Sequence, residues 1–371
     1  MSEAIETSPP ALEGNRFPCA RCGAKLEFSP GQDALACPFC GHQNAIEGSS
    51  EIVEELDFEV VLRDLDSAAE HCEHTLVKCD ACAAEIDRPP NVTSLSCPYC
   101  RSNIVLQSVT RRAIKPRSLL PFSIERRSAA DRVRSWVASL WFAPSAIKRF
   151  ADIDGAIRGI YYPAWTYDCS TDTQYTGFRG DAYYVPVSYT TMVNGKPQRR
   201  TRMERRIRWT PAWGTVHNTF DDVLVLASRS LPDRFAHKLE PWDLKALAPY
   251  RDDYLAGFLA ENYQIDLAAG FDVAKTRMAP EIDATIRRHI GGDAQRILSR
   301  RIHYRDITFK HVLLPIWIGS YRFKDRVFRI LVNARTGEVQ GERPWSWIKI
   351  TAAALAVAAI VAVIALLASA K

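Results

Sequence analysis

Eight of the ten cysteines fall into two sets with the same spacing, and these sets point most directly to chemistry. A two-residue gap lets both thiolates of a Cys-x2-Cys pair reach one ion, and tetrahedral zinc takes four thiolates at about 2.3 Å. The spacing Cys-x2-Cys-x14-Cys-x2-Cys therefore predicts one complete zinc site per set, and two Zn²⁺ ions per chain. The ligands of the first site are Cys19, Cys22, Cys37 and Cys40, and those of the second are Cys79, Cys82, Cys97 and Cys100.

Both predicted zinc sites are closed, because the protein supplies all four ligands and leaves no position for a substrate or water. In the first set, Pro38 and Gly41 suit the sharp turns of a metal-binding knuckle. Neither pair opens a helix between two strands, as the Cys-x-x-Cys pair of a thioredoxin-like enzyme does. We therefore expect two structural zinc ribbons, at 17–46 and 76–108, each with a short hairpin between its cysteine pairs.

Motifs of several common enzyme classes are missing from the sequence. There is no GxxxxGK[ST] phosphate loop, no HExxH, no GxSxG and no dinucleotide-binding fingerprint. His217, Asp221 and Asp222 come nearest to an acid–base cluster, but a solvated loop explains them more simply. The sequence predicts a protein that is not an enzyme.

The C-terminal segment at 348–370 is predicted to be a transmembrane helix. Seventeen consecutive apolar residues run from Ala352 to Ala368. A span of about 21 residues at 1.5 Å per residue matches the roughly 30 Å hydrocarbon core of a bilayer. Alanines four apart, such as Ala352 and Ala356, could allow close helix pairing, but alanine is so frequent here that homo-oligomerisation stays open.

The flanks of this helix predict its orientation. Trp345 and Trp347 stand where an interfacial aromatic belt is expected, and Arg343 and Lys349 favour a cytosolic location for the preceding domain. The first sixteen residues are polar and acidic, without the basic and apolar regions of a signal peptide, and we expect them to be disordered. The predicted location is the cytoplasmic membrane, with one span and the N-terminal domain in the cytosol.

Charge is unevenly distributed along the chain, although the net charge is only +5. Glu47 to Glu73 holds ten acidic residues and one arginine, and we interpret 47–75 as an acidic linker between the ribbons. Arg101 to Phe150 holds eleven basic and two acidic residues. Solvated faces explain both segments, and an anionic partner is the alternative for the basic one.

The stretch 118–344 is predicted to be a duplicated α+β domain with an antiparallel sheet. A helical stripe of Val133, Trp136, Val137, Leu140 and Trp141 ends at Pro144. A second helix, begun by Asp272, interrupted at Pro280 and stopped by Gly291, follows later. Each helix precedes strands with a Pro-x-Trp signature, Pro163 with Trp165 and Pro315 with Trp317.

The elements between these signatures are assigned from local patterns. The alternation in 159–177 predicts a β-hairpin that turns near Thr171 and Asp172, and 198–213 and 222–228 are predicted strands. We interpret 239–270 as a helical section leading into the second copy. The tryptophans of the two signatures could form a binding platform, but packing in a sheet core is favoured.

The order of double ribbon, "GIYYPAWTYD", "YRDDYLAGF", "TFKHVLLPIW", "LVNARTGEVQGERP" and closing span resembles a family of bacterial tail-anchored double zinc-ribbon proteins. Members are often labelled after primosomal replication helicases, which share only the ribbons. The resemblance covers nearly the whole chain. It implies a role at the cytoplasmic membrane in envelope stress, recruiting coiled-coil membrane-remodelling proteins of the phage-shock-protein-A type.

Two functions remain open at this point. The first is a membrane-bound adaptor that docks a cytosolic protein. The second is a membrane-tethered nucleic-acid-binding protein, for replication or transcription, whose phosphate contacts would come from Arg111, Arg112, Lys115 and Arg117 or from the arginines between Arg199 and Arg208. The ribbon hairpins are nearly neutral and hold one aromatic residue between them, which favours the adaptor.

Overall fold

The computed structural model describes residues 17–32, 34–46, 53–65, 71–78, 85–87, 94–97, 103–105, 108–145, 147, 157–193, 196–231, 235, 237–323 and 326–369. Within these residues, helices combine with a large antiparallel sheet, and one apolar helix closes the chain. The predicted mixture of helices with an antiparallel sheet is confirmed. The prediction for residues 1–16 lies outside the described residues.

A small antiparallel sheet comes first in the chain, and it consists of β1 (Glu27–Phe28), β2 (Ala34–Ala36) and β3 (Gln43–Ala45). Phe28 attaches this sheet to the rest of the molecule. Its backbone N–H donates to the carbonyl of Ala256 at 2.9 Å, and its ring centroid lies 5.2 Å from that of Tyr254. The first sheet is therefore docked on the larger domain.

The segment expected as an acidic linker contains β4 (Leu56–Asp57) and α1 (Phe58–Leu65). Leu56 pairs with Phe309 in the main sheet, and the buried ring of Phe58 lies 4.9 Å from that of Phe271. Its apolar residues thus hold this part of the segment on the domain.

The strands at the second cysteine set repeat part of the first small sheet. They are β5 (His71–Lys78), β6 (Glu85–Asp87), β7 (Ser94–Ser96), β8 (Asn103–Val105) and β9 (Ser108–Ile114). Leu95 pairs with Ile104 as Leu35 pairs with Asn44, sixty residues earlier. The β7–β8 register is that of β2–β3 throughout, which agrees with the repeated cysteine spacing.

The main domain is built from ten further elements. They are β10 (Ser118–Leu119), α2 (Arg126–Ser139), β11 (Arg158–Val193), β12 (Lys196–Leu226), β13 (Ala248–Pro249), β14 (Leu259–Ala260), α3 (Leu267–Ile290), β15 (Ala294–Phe323), β16 (Arg326–Asn333) and β17 (Val339–Gly341). Its sheet has the order β12-β11-β15-β10-β13; β14 also pairs with β11, β4 and β16 with β15, and β17 with β16. The chain ends in α4 (Trp347–Ser369).

Two strands extend far beyond the rest of the sheet. Pairing of β11 with β15 ends at Gly180 and Ala294, whereas pairing of β11 with β12 continues to Val193 and Lys196. We call this two-stranded extension, Asp181–Val193 with Lys196–Arg208, the arm. Its thirteen paired positions correspond to about 43 Å at 3.3 Å per residue.

The predicted hairpin turn near Thr171 and Asp172 is wrong. Both residues lie inside β11, which continues for 36 residues and is paired on one side with β12 and on the other with β15. Thr171 and Thr173 are fully buried. Hydrogen bonds to two neighbouring strands therefore override the local turn preference of the run Ser-Thr-Asp-Thr.

Helix α3 begins earlier than predicted and continues through Pro280. Asp266, not Asp272, caps its start by accepting a hydrogen bond from the N–H of Ala269 at 2.8 Å. Pro280 lies on the exposed face, while Met278, Ile282 and the later isoleucines of the stripe are buried. Burial of this stripe outweighs the hydrogen bond that a proline removes from a helix.

Two further expectations in the main domain are wrong. The section 239–270 contains short 3-10 turns and the strands β13 and β14 before α3, and not one helical section. Trp141, expected on the buried stripe of α2, is 77% exposed because α2 ends at Ser139.

The two Pro-x-Trp signatures have matching surroundings. Trp165 and Trp317 are both buried, as core packing predicts. The indole N–H of Trp165 donates to the carbonyl of Ile265 at 2.9 Å, and that of Trp317 donates to the carbonyl of Ile124 at 2.8 Å. Each acceptor lies two residues before a helix. Trp165 thus ties β11 to the start of α3, which precedes β15, and Trp317 ties β15 to the start of α2, which precedes β11.

Candidate functional site

The four cysteines of the first set form a compact sulfur cluster. Their Sγ atoms all lie within 4.8 Å of one another, with 3.6 Å between Cys19 and Cys40 and 3.5 Å between Cys22 and Cys37. A zinc tetrahedron with 2.3 Å bonds has sulfur–sulfur edges of about 3.8 Å, whereas a disulfide bond is about 2.05 Å long. The cluster thus has the size of a four-thiolate metal site, and these residues could hold a metal ion.

The backbone around the cluster has the knuckle form that the sequence predicted. Gly41 donates to the carbonyl of Cys37 at 3.0 Å, and Gly23 donates to that of Cys19 at 2.8 Å. Both glycines have positive φ, +69° and +74°, a conformation that glycine adopts without the steric cost of a Cβ atom. Turns of this kind bring the two sulfurs of each pair to the same side.

The thiols differ in acidity because backbone N–H groups and neighbouring sulfurs act on each of them differently. The N–H of Cys40 lowers the pKa of Cys37 to about 6, against the effect of burial, and the N–H of Phe39 adds to the lowering. The N–H of Ala24 acts to lower the pKa of Cys22, but contacts with the sulfurs of Cys37 and Cys40 outweigh it and raise the pKa to about 12. Four thiolates this close need a cation to balance their charge.

The second cysteine set is described only in part. Cys97 is fully buried at the end of β7, while Cys79, Cys82 and Cys100 lie outside the described residues.

A second polar cluster, which sequence analysis missed, surrounds Lys310. The side chain of Lys310 is only 8% exposed, and its Nζ lies 2.9 Å from Glu55 Oε1, 2.8 Å from Asp222 Oδ1 and 3.5 Å from Asp168 Oδ2. Burial raises the pKa of Asp168 to about 6, although the N–H of Asp222 and the ammonium of Lys310 act in the opposite direction. Three carboxylates around one lysine tie the segment before α1 to the main sheet.

His217, Asp221 and Asp222 lie in strand β12 and not in the solvated loop that the sequence favoured, and His217 does not join the two aspartates. His217 contacts Asp172 through Nδ1, and Arg305 contacts the other oxygen of Asp172 at 2.6 Å. Asp222 instead belongs to the Lys310 cluster, where its carboxylate oxygen comes within 4.8 Å of those of Asp168 and Asp221. His217 thus contacts a carboxylate that also binds Arg305, and its side chain is exposed.

The arm presents arginine and tyrosine side chains to solvent. On one of its faces, Tyr183 is paired with Arg206 and Tyr189 with Arg200. Arginines also lie over the two rings, Arg208 at 5.4 Å from Tyr183 and Arg202 at 5.7 Å from Tyr189. The arm carries seven basic and two acidic residues, so its potential is strongly positive.

The other basic group proposed for phosphate contacts lies on and just after β9, and Lys115 and Arg117 are exposed. Arg111 and Arg112 lie on β9, where they pair with residues of β5. Lys115 lies 5.5 Å from the centre of the Tyr250 ring, and the N–H of Arg117 donates to the carbonyl of His311 at 3.2 Å.

Helix α4 is long and apolar enough to cross a membrane. Its candidate span, Trp347–Ala365, has a mean hydropathy of 2.5, and its side chains are not buried against the described parts of the protein. The 23 residues of α4 give a length of about 35 Å.

The arm and α4 leave the sheet at opposite ends. Gln340, Leu331, Ile318 and Arg158 are paired in one row across β17, β16, β15 and β11. Each step in the row is antiparallel, so β17 runs opposite to β11. The chain leaving β17 toward α4 therefore moves away from the tip of the arm.

Among curated proteins, the chain is similar to the uncharacterized protein YdjG of Bacillus subtilis (strain 168). The two are 25% identical over 338 residues, which cover 91% of this chain and 92% of the relative. No family model matches the chain, and no solved structure matches it. The similarity spans nearly the whole length of both proteins, and the relative's name states no activity.

Proposed function

We propose that the chain is a non-catalytic adaptor that binds a cytosolic protein and holds it at the inner face of the cytoplasmic membrane. The arm carries this proposal, because it projects about 43 Å beyond the third strand with its arginines exposed. A two-stranded ribbon is only marginally stable in water, and partner contacts would stabilise it. Its positive charge suits an acidic protein surface.

Helix α4 is the membrane anchor in this proposal. Arg343 precedes the span and Lys349 lies in its first turn, and both charges favour the cytosolic side for the domain. Since the arm leaves the sheet at the other end, it would point into the cytosol, where a soluble partner is accessible.

Two zinc ribbons serve as folding units, each holding one Zn²⁺. The sulfur cluster supports the first ribbon. The repeated cysteine spacing supports the second, as does the β7–β8 pairing, which repeats the β2–β3 pairing sixty residues later. When bound, zinc would cross-link each knuckle pair and supply folding energy to a unit with few apolar residues. The ligands of the second site are Cys79, Cys82, Cys97 and Cys100.

The main domain is a duplication in this proposal. Besides the two tryptophan contacts, β10 runs parallel to β15 and β14 runs parallel to β11. The paired residues match as well. Ser118 pairs with Val312, and Leu259 pairs with Ile160. Ile160 lies 152 residues before Val312, which is also the separation of Trp165 and Trp317. A pseudo-twofold axis near the Tyr162–Leu314 pair would relate the two copies.

The family resemblance suggests the partner's class. It implies a coiled-coil membrane-remodelling protein of the phage-shock-protein-A type and a role in envelope stress. The arm would then be the element that recruits it.

A nucleic-acid-binding function is the second candidate, and one observation favours it. Same-face arginines of a strand recur at about 6.8 Å, and tyrosines interleaved with them could stack on bases. The pairs of arginine with tyrosine on the arm have this composition.

The test uses the full-length protein in its host cell with a proximity-labelling enzyme at its N-terminus. In one variant, Arg200, Arg202, Arg206 and Arg208 are replaced by Gln. In the control, four exposed arginines of the main domain outside the arm are replaced instead, namely Arg126, Arg127, Arg288 and Arg301. We expect a cytosolic protein to be labelled at the membrane by the wild type and the control, and to be lost from the arm variant.

The nucleic-acid candidate is tested with the detergent-solubilised chain and a fluorescent single-stranded oligonucleotide. Affinity that survives physiological salt, falls linearly in log salt and disappears in the arm variant would replace the adaptor proposal. The adaptor proposal predicts negligible binding there.

A further inference from the structure

Exposed aromatic side chains from two distant segments meet at the start of α4. Trp141, just after α2, is 77% exposed, and Phe142 beside it is also exposed. Trp345, just before α4, and Trp347, its first residue, are 52% and 76% exposed. Indole rings in water leave a large apolar area unburied, so such a group marks a surface that meets something apolar.

Hydrogen bonds hold the two segments together. The N–H of Ser346 donates to the carbonyl of Phe142 at 2.8 Å. The ammonium of Lys349 donates to the carbonyls of Trp141 at 3.1 Å and Ala143 at 2.8 Å. The loop after α2 is therefore fixed beside the first turn of α4, at the level of Lys349.

Lys349 is well suited to this position. The carbonyls just beyond the C-terminus of α2 lack partners within that helix, and a cation there also meets the negative end of its dipole. With its ammonium bound to two of them, Lys349 can lie at the edge of an apolar layer with two of its three N–H donors satisfied. From Ala352 to Ala368, the residues that follow Thr351 are apolar.

We propose that the loop Trp141–Ala143 is a second membrane-contacting element, which inserts Trp141 and Phe142 into the lipid interface beside α4. The proposal rests on the membrane anchoring of α4 described above. Tryptophan prefers the interfacial layer, where the ring is in an apolar medium and its N–H stays near water. Arg343, whose guanidinium lies 4.4 Å from the centre of the Trp345 ring, adds a positive charge on the headgroup side.

Two contacts with the bilayer would fix the orientation of the domain. A single helix leaves the domain free to swing about the linker that precedes it, whereas a loop hydrogen-bonded to that helix removes this freedom. Since β11 starts at this end of the sheet and runs toward the arm, the arm would be held pointing away from the lipid.

The experiment reconstitutes the full-length protein into vesicles of three parts phosphatidylcholine and one part phosphatidylglycerol, with lipids brominated near the headgroup end of the acyl chains. Bromine quenches tryptophans that reach the interface. Trp141→Phe is compared with Trp213→Phe, a matched control because Trp213 is 74% exposed and lies on β12, away from α4.

The expected share of tryptophan fluorescence that bromine quenches can be counted. It assumes that the nine tryptophans emit equally and that Trp141, Trp345 and Trp347 are quenched. The quenched share falls from about a third to about a quarter in Trp141→Phe, and rises to about three eighths in Trp213→Phe. An equal rise in both variants would place Trp141 away from lipid and overturn the proposal.

Vesicle flotation separates this proposal from the one it rests on. Protein that floats with the vesicles but keeps Trp141 unquenched is anchored by α4 alone, and only the second contact is refuted. Protein that does not float, or that is released by alkaline carbonate, refutes the membrane anchor and the second contact together.

Discussion

At the scale of single residues, the molecule twice brings several ionisable side chains into close contact. Around the sulfur cluster, crowded thiols need a cation; around Lys310, one buried ammonium is shared by Glu55, Asp168 and Asp222. In both places, removing one partner leaves the others uncompensated, and such losses are larger than those of surface pairs.

Zinc content should follow the cysteine sets one by one. Elemental analysis of the purified full-length protein is expected to give two zinc ions per chain, one after Cys37→Ser, and none after Cys37→Ser combined with Cys97→Ser. Cys169→Ala is the control, because Cys169 is buried outside both sets beside Met278. Two zinc ions retained in Cys37→Ser would contradict the first site.

Asp168 should make stability depend on pH. Its pKa in the folded protein is raised to about 6, from 3.8. The folded state therefore binds a proton that the unfolded state does not bind between these values, and this contribution to stability falls as pH rises through the window. Asp168→Asn keeps an oxygen acceptor for the N–H of Asp222 and removes the charge.

The measurement is urea unfolding of the detergent-solubilised chain at pH 7 and pH 5. We expect the wild type to gain stability relative to Asp168→Asn as the pH falls from 7 to 5. Glu55, Asp222 and Lys310 are common to both proteins, so the difference reports Asp168. A difference that is constant with pH would mean that Asp168 is not protonated in this range.

At the scale of elements, helix α3 depends on a cap that α2 lacks. The side chain of Asp266 accepts from the N–H of Ala269, whereas Glu125, before α2, makes no such bond. Asp266→Ala should lower the free energy of unfolding by about 1 kcal/mol, and Asp266→Ser by much less.

Glu125→Ala is the matched control, and we expect it to stay within about 0.5 kcal/mol of the wild type. Urea unfolding followed by tryptophan fluorescence measures both variants. Equal losses at the two positions would show that capping does not distinguish the helices.

Elements fixed by local patterns were predictable, and those fixed by distant pairing were not. The spacing of Cys19 and Cys22 with Cys37 and Cys40 acts within one short segment, and so does the apolar run of α4. The length of β11 could not be read from its sequence, because Thr171 and Asp172 favour a turn until two neighbouring strands pair with them.

The Lys310 cluster shows why a candidate site of this kind could not be predicted from the sequence. Glu55, Asp168, Asp222 and Lys310 come from four separate segments, and only the folded sheet brings them together. The exposure of Trp141 was missed because its helical spacing matches the buried stripe, although α2 ends two residues before it.

At the scale of the whole molecule, the apolar helix and the arm leave the main sheet at opposite ends, which the proposed function assigns to the membrane and to the cytosol. We expect the protein to sediment with membranes, to resist extraction by high salt and by alkaline carbonate, and to become soluble when the chain is cut after Arg343. The apolar span accounts for all three results.

Protease added outside intact spheroplasts gives the orientation. The ribbons should stay intact, since Arg343 and Lys349 keep the domain inside. Digestion of the ribbons from that side would mean that the helix is inserted the other way round.

The continuity of β11 has a mechanical consequence. A pull on the tip of the arm along the strand axis acts perpendicular to the hydrogen bonds that join β11 to β12 and β15. These bonds are then loaded in shear and share the force, instead of breaking one after another as in unzipping. Traction from a bound partner would thus pass along a stiff strand of about 120 Å contour to the end where the chain enters α4.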